Sequence, residues 1–336
     1  MVRVHSVVCN LIFAVCGSVP SYCSVVSAQS KNASTVVIAH RGASGYAVEH
    51  TEAAKAMAFA QGAHFIEQDV VLSKDGQLVV THDITMEETT DVELKFPARG
   101  RPDGRFYFSE FTWDEIQQLV MHERTRRGSN AAAIPGRFPG SAGQRLLRLS
   151  DEIRMIEGWN ATTGRNVGLY IELKSPAFHK KELGKSMGEE LLQVLSKQKA
   201  PTTPCFIQCF EAEELVELHD RLRCPYPLIF LLSKAIPEND LIPIARYARG
   251  IGPSLELIAD RAADGSIRST GLVEAAQKAG LAVHPYTVRK EAQPKWSNSI
   301  AETHSYLLKK LHVDGFFTDF PDLGVHAVES HLQSIK

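Results

Sequence analysis

The sequence predicts an α/β protein in which parallel strands are joined by helical crossovers, with strands enough to close as a barrel. Three observations carry this. Short apolar, β-branched runs alternate with helical stretches along most of the chain, the pattern of a parallel sheet covered by helices. The 336 residues are 44% hydrophobic and 23% charged, ordinary for a globular chain and long enough for one α/β barrel. Charged and imidazole side chains collect just past the ends of the apolar runs, the end of a parallel barrel where chemistry gathers.

Residues 36–39 form the first strand, which runs into His40-Arg41-Gly42. Residues 51–61 are Ala-rich and helical, closed by Gly62. A second strand covers 65–71 and a third 78–81. The Lys74-Asp75-Gly76 turn between them predicts a hairpin that sets Glu67 opposite His82. From 84 to about 150 the periodicity gives way to turn-rich sequence, with a helix start at Thr112 (Glu115 three residues on) and another at Ser150. So long a segment after the third strand reads as a functional insertion, a wall or lid over a site.

Alternation then resumes, with strands at 168–172, 206–210, 227–232, 250–253, 281–288 and 314–318. Helices at 180–197, 213–220, 241–247, 272–279 and 303–311 lie between them. One strand is left over from eight staves, and the hairpin accounts for it.

A net charge of -2 gives no global field for nucleic acid. The basic runs at Arg99, Arg101, Arg105 and at Arg124, Arg126, Arg127 read as solvated loops. Residues 1–28 have the form of a secretory signal: a weakly basic start, an apolar run, and small residues at Val26-Ser27-Ala28. The apolar run falls short of the ~20 residues a membrane span needs, so no stable membrane insertion is expected. Cys16 or Cys23 as a lipid anchor ranks second, because Val15 and Tyr22 are poor neighbours for it. Cys205, Cys209 and Cys224 remain beyond the leader, without metal spacing or a disulfide framework, and read as packing residues. Asn32-Ala-Ser and Asn160-Ala-Thr match glycosylation acceptors, relevant only in a eukaryotic host.

The chemistry concentrates in a few side chains. Glu67 and Asp69 are two apart and share one strand face. Two acids facing an apolar interior need a positive partner. A hard divalent cation is the simplest, with Glu172 as third ligand and oxygen donors suited to Mg²⁺ or Ca²⁺; pairing with Lys174, Arg41 or solvent is the other reading. His40 and His82 can supply acid and base near neutral pH. Arg41 beside Gly42 suits a phosphate oxygen, and Lys174 adds a point charge; each alone could equally be a structural ion pair.

The order HRG, ExD, HD, ExK and a Thr-Asp-Phe-Pro ending resembles the glycerophosphodiester phosphodiesterase family from Val36 to about Leu323. The phrases AHRGASGY, EHT, AKAMA, EQD, VVTHD, DGR, IQCF, GIGP, HPYTVR and FTDFPD resemble its bacterial periplasmic branch. The resemblance implies a TIM (β/α)8 barrel over residues 29–336 with the insertion at about 84–150. It implies one divalent cation, Ca²⁺ or Mg²⁺, held by Glu67, Asp69 and Glu172. It also implies acid–base histidines at His40 and His82, and phosphate contacts at Arg41 and Lys174. The expected reaction releases sn-glycerol 3-phosphate and an alcohol from deacylated phospholipids. Glu49-His50-Thr51 stands where the broader family often has Glu-Asn-Thr, as it does in the periplasmic branch. The stretch from Cys224 to Gly250 is shorter than in that branch, which bears on the rim there and on any subunit contact.

In this reading the insertion, with Phe106, Tyr107, Phe108 and Trp113, either borders the substrate's alcohol side or packs its aromatics onto the barrel. The expected partners are a small-molecule diester and at most a second copy of the chain, in the periplasm or outside the cell. A phospholipase C- or D-like enzyme would need an exposed apolar rim or a membrane helix, which the sequence does not advertise. A secreted binding protein on the same barrel would have no need of the whole polar set. A glycosidase using carboxylates alone leaves both histidines and Arg41 unexplained.

Overall fold

Residues 35–129, 131–137, 143–197 and 203–335 are described by the structure, a computed structural model; the leader and the Asn32 motif lie outside the described residues. Its strands are β1 (Val36–Ala39), β2 (Phe65–Leu72), β3 (Leu78–Val80), β4 (Leu147–Arg148), β5 (Gly168–Leu173) and β6 (Cys205–Cys209). They continue as β7 (Leu228–Leu232), β8 (Gly250–Pro253), β9 (Ala259–Arg261), β10 (Ile267–Ser269), β11 (Ala282–Val283) and β12 (Gly315–Thr318). The main sheet runs β11-β8-β7-β6-β5-β2-β1-β12, each neighbouring pair parallel.

The ends of this path meet. Asp314 N–H donates to the Val283 carbonyl (3.1 Å), Phe317 N–H to Pro285 (3.0 Å) and Val288 N–H to Phe317 (2.8 Å). The sheet is therefore closed: a TIM barrel of eight staves, with β3 as the surplus strand of the hairpin. Only Ala282–Val283 of the expected 281–288 strand is regular, but the bonds to residue 288 carry the stave on.

All eight residues of β2 are buried, as a stave with helices outside and the barrel inside requires. One end of the interior is filled by Ile38, Phe65, Tyr170, Ile229 and Phe317. Tyr170 stacks on Phe206 at 5.1 Å and bonds His284 Nδ1 at 2.8 Å. Gly168 is required there: a Cβ would stand 2.3 Å from the Phe65 ring. With that end sealed, the polar residues are left at the other mouth.

The hairpin differs by one residue from the expected register. Val70 pairs with Val80, Val71 with Val79 and Leu72 with Leu78, around a loop held by Ser73 N–H on the Gln77 carbonyl (3.0 Å). Glu67 lies beyond this ladder and pairs instead with Tyr170 of β5, because the parallel stave begins where the hairpin ends. The expected 180–197 helix is two, Pro176–Leu183 and Met187–Ser196, broken where Gly184 adopts φ +68° and Ser186 caps the next helix. The capping box at Thr112 and Glu115 forms as read.

The insertion packs down on its own aromatics. Phe106, Phe108 and Phe111 are buried with Val48, Val71 and Val79, Tyr107 stacks on Phe178 at 5.6 Å, and Trp113 lies under Arg148. None of the four aromatics named from the sequence lines the cavity that His40, Arg41 and His82 share. Cys205 and Cys209 are buried and unbridged. Asn160 is spent on the Val167 backbone (2.8 and 2.9 Å), so burial withdraws it as a glycosylation acceptor.

Candidate active site

Register assembles the acids. β2 places Glu67 and Asp69 on its inner face, and Asp69 pairs in the ladder with Glu172 of β5. One carboxylate oxygen from each lies within 4.8 Å of the other two. Lys55, buried in the first helix, steadies the strand: its ammonium donates to the Glu67 carbonyl and pairs with Glu152 at 2.8 Å.

The surrounding donors satisfy this trio unevenly. Glu67 accepts from Arg41 N–H (2.8 Å) and Gln208 Nε2 (3.0 Å); Glu172 accepts from Lys174 Nζ (2.6 Å). Asp69 Oδ2 is met by His50 Nε2 (2.8 Å) and Arg41 Nε (3.3 Å). Asp69 Oδ1 is buried without a hydrogen bond, the nearest cation being Lys174 at 4.0 Å. The ion pairs foreseen with Arg41 and Lys174 thus form, yet leave an unmet oxygen among three acids. Burial and the neighbouring carboxylates hold Glu67 well above the usual range. Burial, opposed by Lys174, pushes Glu172 up to about 8. Burial also penalises the Asp69 carboxylate, but Lys174 and His50 outweigh it and hold that group low. Three crowded oxygen donors, one unmet, fit a hard divalent cation.

Two histidines stand beside the trio, each held by an aspartate. His40 Nδ1 lies 2.6 Å from Asp319 Oδ1, and His82 Nδ1 lies 2.7 Å from Asp83 Oδ1. A carboxylate only accepts, so each Nδ1 carries the proton and each Nε2 keeps its lone pair. His40 Nε2 is 3.9 Å from Glu67 Oε2, which joins the dyad to the acids. Burial and Arg41 lower both imidazoles to about 4; Lys174 adds to the effect at His82.

Arginines in turn fix the aspartates. Asp319 Oδ2 takes Arg137 and, at 2.9 Å, Arg289 Nε. Asp83 Oδ2 takes Arg124, which also grips Glu49 at 2.7 Å. Glu49 accepts from Arg41 at 3.0 Å, and Arg41 itself sits at φ +57°, a strained backbone held by these bonds. The insertion reaches the site through Arg124 and Arg137, not through its aromatics. Arg124 is therefore no solvated loop residue, as the basic run suggested.

His40, Arg41, His82, Glu123, Arg137 and Arg289 help line a cavity of about 240 Å³. Glu67, Asp69, Glu172 and Lys174 cluster against its His40–Arg41 side, so all seven residues singled out from the sequence converge. Reasoning from sequence assigned no part to Asp319, Arg289, Glu49 or His50. All four lie in phrases quoted above, FTDFPD, HPYTVR and EHT, and that was the available signal.

Anionic phosphorus repels a nucleophile, so its displacement calls for neutralising cations with an acid and a base close by. The barrel and this mouth define that class, a phosphoric ester hydrolase. Residues 40–323 match the glycerophosphoryl diester phosphodiesterase family, and the chain belongs to it. It is 38% identical over 323 residues to the glycerophosphodiester phosphodiesterase of Haemophilus influenzae, covering 86% of this chain and 88% of that one. The enzyme of that name from Treponema pallidum is 35% identical, covering 86% and 90%. Among solved structures, an Oleispira antarctica phosphodiesterase in complex with the product sn-glycerol-3-phosphate superposes with TM-score 0.62 at 22% identity, covering 88% of this chain and 97% of that one. The glycerophosphodiester phosphodiesterase of Thermotoga maritima gives TM-score 0.56 at 18% identity, covering 87% and 97%. These two likenesses bear on the fold alone.

Proposed function

We propose that this chain hydrolyses glycerophosphodiesters, the water-soluble remnants of deacylated phospholipids, to sn-glycerol 3-phosphate and an alcohol. The observation that carries this reading is the pair of aspartate-held imidazoles facing one cavity beside the carboxylate trio. Membership of the family, and the enzymes of that name that are 38% and 35% identical, support it.

Arg41 and Lys174 take the phosphate oxygens and hold phosphorus in line. Glu67, Asp69 and Glu172 hold one divalent cation, Ca²⁺ or Mg²⁺, which when bound polarises a hydroxyl and offsets charge on the phosphate. One imidazole Nε2 accepts the proton of the attacking hydroxyl, either of water or of the substrate's own glycerol, in which second case water then opens the resulting cyclic phosphate to glycerol 3-phosphate. The other, protonated as the anionic phosphate arrives beside it, gives a proton to the leaving alkoxide. Asp319 and Asp83 keep both rings in the tautomer this needs.

The working domain is residues 29–336, acting in the periplasm or outside the cell once residues 1–28 are removed. No helix among the described residues is long and apolar enough to cross a membrane. The test is release of glycerol 3-phosphate from glycerophosphocholine and related diesters, set beside intact phosphatidyl lipids. Turnover of the water-soluble diesters is the expected result. Turnover of the lipids alone would replace this reading with a phospholipase.

A further inference from the structure

One ionisable group in the cavity has no part in the scheme above. Glu123, carried by the insertion, lines the cavity and is 7% exposed, and its carboxyl makes no hydrogen bond or ion pair among the described residues. Its backbone is pinned, so its place is built rather than incidental. His122 N–H donates to the Thr89 carbonyl (3.0 Å) and Thr125 N–H to Glu88 (2.8 Å). The His122 ring spans the Glu123 and Thr90 carbonyls at 2.8 and 3.0 Å.

The surroundings narrow what this carboxyl can meet. Arg124 and Arg137 approach from the same wall, but each is engaged by acids, Glu49 and Asp83 for the one, Asp319 and Glu291 for the other. Across the cavity Arg289 spends its Nε on Asp319. Among the described residues of the lining, Ile134 is the one apolar side chain and none carries a phenyl, phenol or indole ring, so they offer no aromatic face to a quaternary ammonium. What is offered is an acceptor oxygen among guanidinium donors, the complement of neighbouring hydroxyls. Burial, with Glu49 nearby, moves Glu123 up to about 7, where it can accept or donate.

We infer that Glu123 sets the alcohol specificity: it hydrogen-bonds the hydroxyls of a polyhydroxylated leaving group such as glycerol, and so favours those diesters over diesters of quaternary ammonium alcohols. The inference rests on the phosphodiesterase reading. The experiment compares kcat/KM for glycerophosphoglycerol, glycerophosphoethanolamine and glycerophosphocholine in the wild type, E123Q and E123A, with folding checked by circular dichroism. The expected result is a wild-type preference for glycerophosphoglycerol over glycerophosphocholine that E123A lowers about tenfold, E123Q retaining part of it.

An unchanged ratio in E123A overturns the inference, whether the rates stay level or fall together. So does a loss centred on glycerophosphoethanolamine, which would make the carboxylate an ammonium site. If the wild type cleaves none of the three, the phosphodiesterase reading fails and takes this inference with it; the absence of any rate to compare marks that case apart.

Discussion

His40→Ala and His82→Ala are each expected to lower turnover at least ~10²-fold while the barrel remains folded. The size follows from what each ring supplies. An imidazole with Nδ1 fixed by a carboxylate presents Nε2 in one orientation, and alanine removes proton transfer without touching the cation ligands. The fold should survive, because both side chains lie at the mouth and contribute little to the apolar layers. Circular dichroism and a melting curve check the fold; initial rates of glycerol 3-phosphate release check the chemistry. A folded variant with normal turnover would remove that histidine from the mechanism.

The second large effect concerns the acids. Glu172→Gln or Asp69→Asn is expected to lower turnover by at least ~10²-fold and to abolish the response of the melting temperature to added Ca²⁺ or Mg²⁺. In the wild type, cation at a hundred times its dissociation constant should stabilise the fold by about 2.7 kcal/mol.

The same trio gives the cation-free protein a pH dependence of definite sign. Glu67 and Glu172 hold protons in the folded state that the unfolded chain has released above its ordinary carboxyl range. The folded form therefore binds more protons, and stability falls as pH rises from about 4.5 through about 8. Buried histidines lowered to about 4 act in the opposite sense, but only below their ordinary 6.5. Above that pH the raised carboxyls act alone, Glu123 adding to the pair, and a bound cation should remove the share that belongs to Glu67 and Glu172. Urea midpoints with and without chelator across that range give the readout. A flat profile without cation would mean that the three acids are not in conflict.

Much of this was legible in the sequence because the informative residues are local. Glu67 and Asp69 share a face by the period of a strand alone, and His40, Arg41, His82 and Lys174 each sit within a few residues of the end of an apolar run. The Lys74-Asp75-Gly76 turn marked the hairpin but not its register: the loop closes on Ser73 and Gln77, and a slip of one residue carries no local signature. Asp319 was legible only as part of a phrase, since it meets His40 across 279 positions of chain. Arg124 and Arg137 were hidden for a related reason. In a turn-rich insertion nothing separates an arginine aimed at a buried carboxylate from one in solvent. Of the two readings the aromatics there allowed, the structure takes packing: Phe106 and Phe108 bury against Val71 and Val79.

The claim on which the account turns is that one divalent cation, held by Glu67, Asp69 and Glu172, serves the two histidines. Its most direct test is glycerol 3-phosphate release by chelator-stripped protein as Ca²⁺ or Mg²⁺ is returned, with cation content followed by elemental analysis. The account predicts no turnover in the stripped protein and full recovery as content reaches one ion per chain. Full turnover in protein that elemental analysis finds free of cations would contradict it.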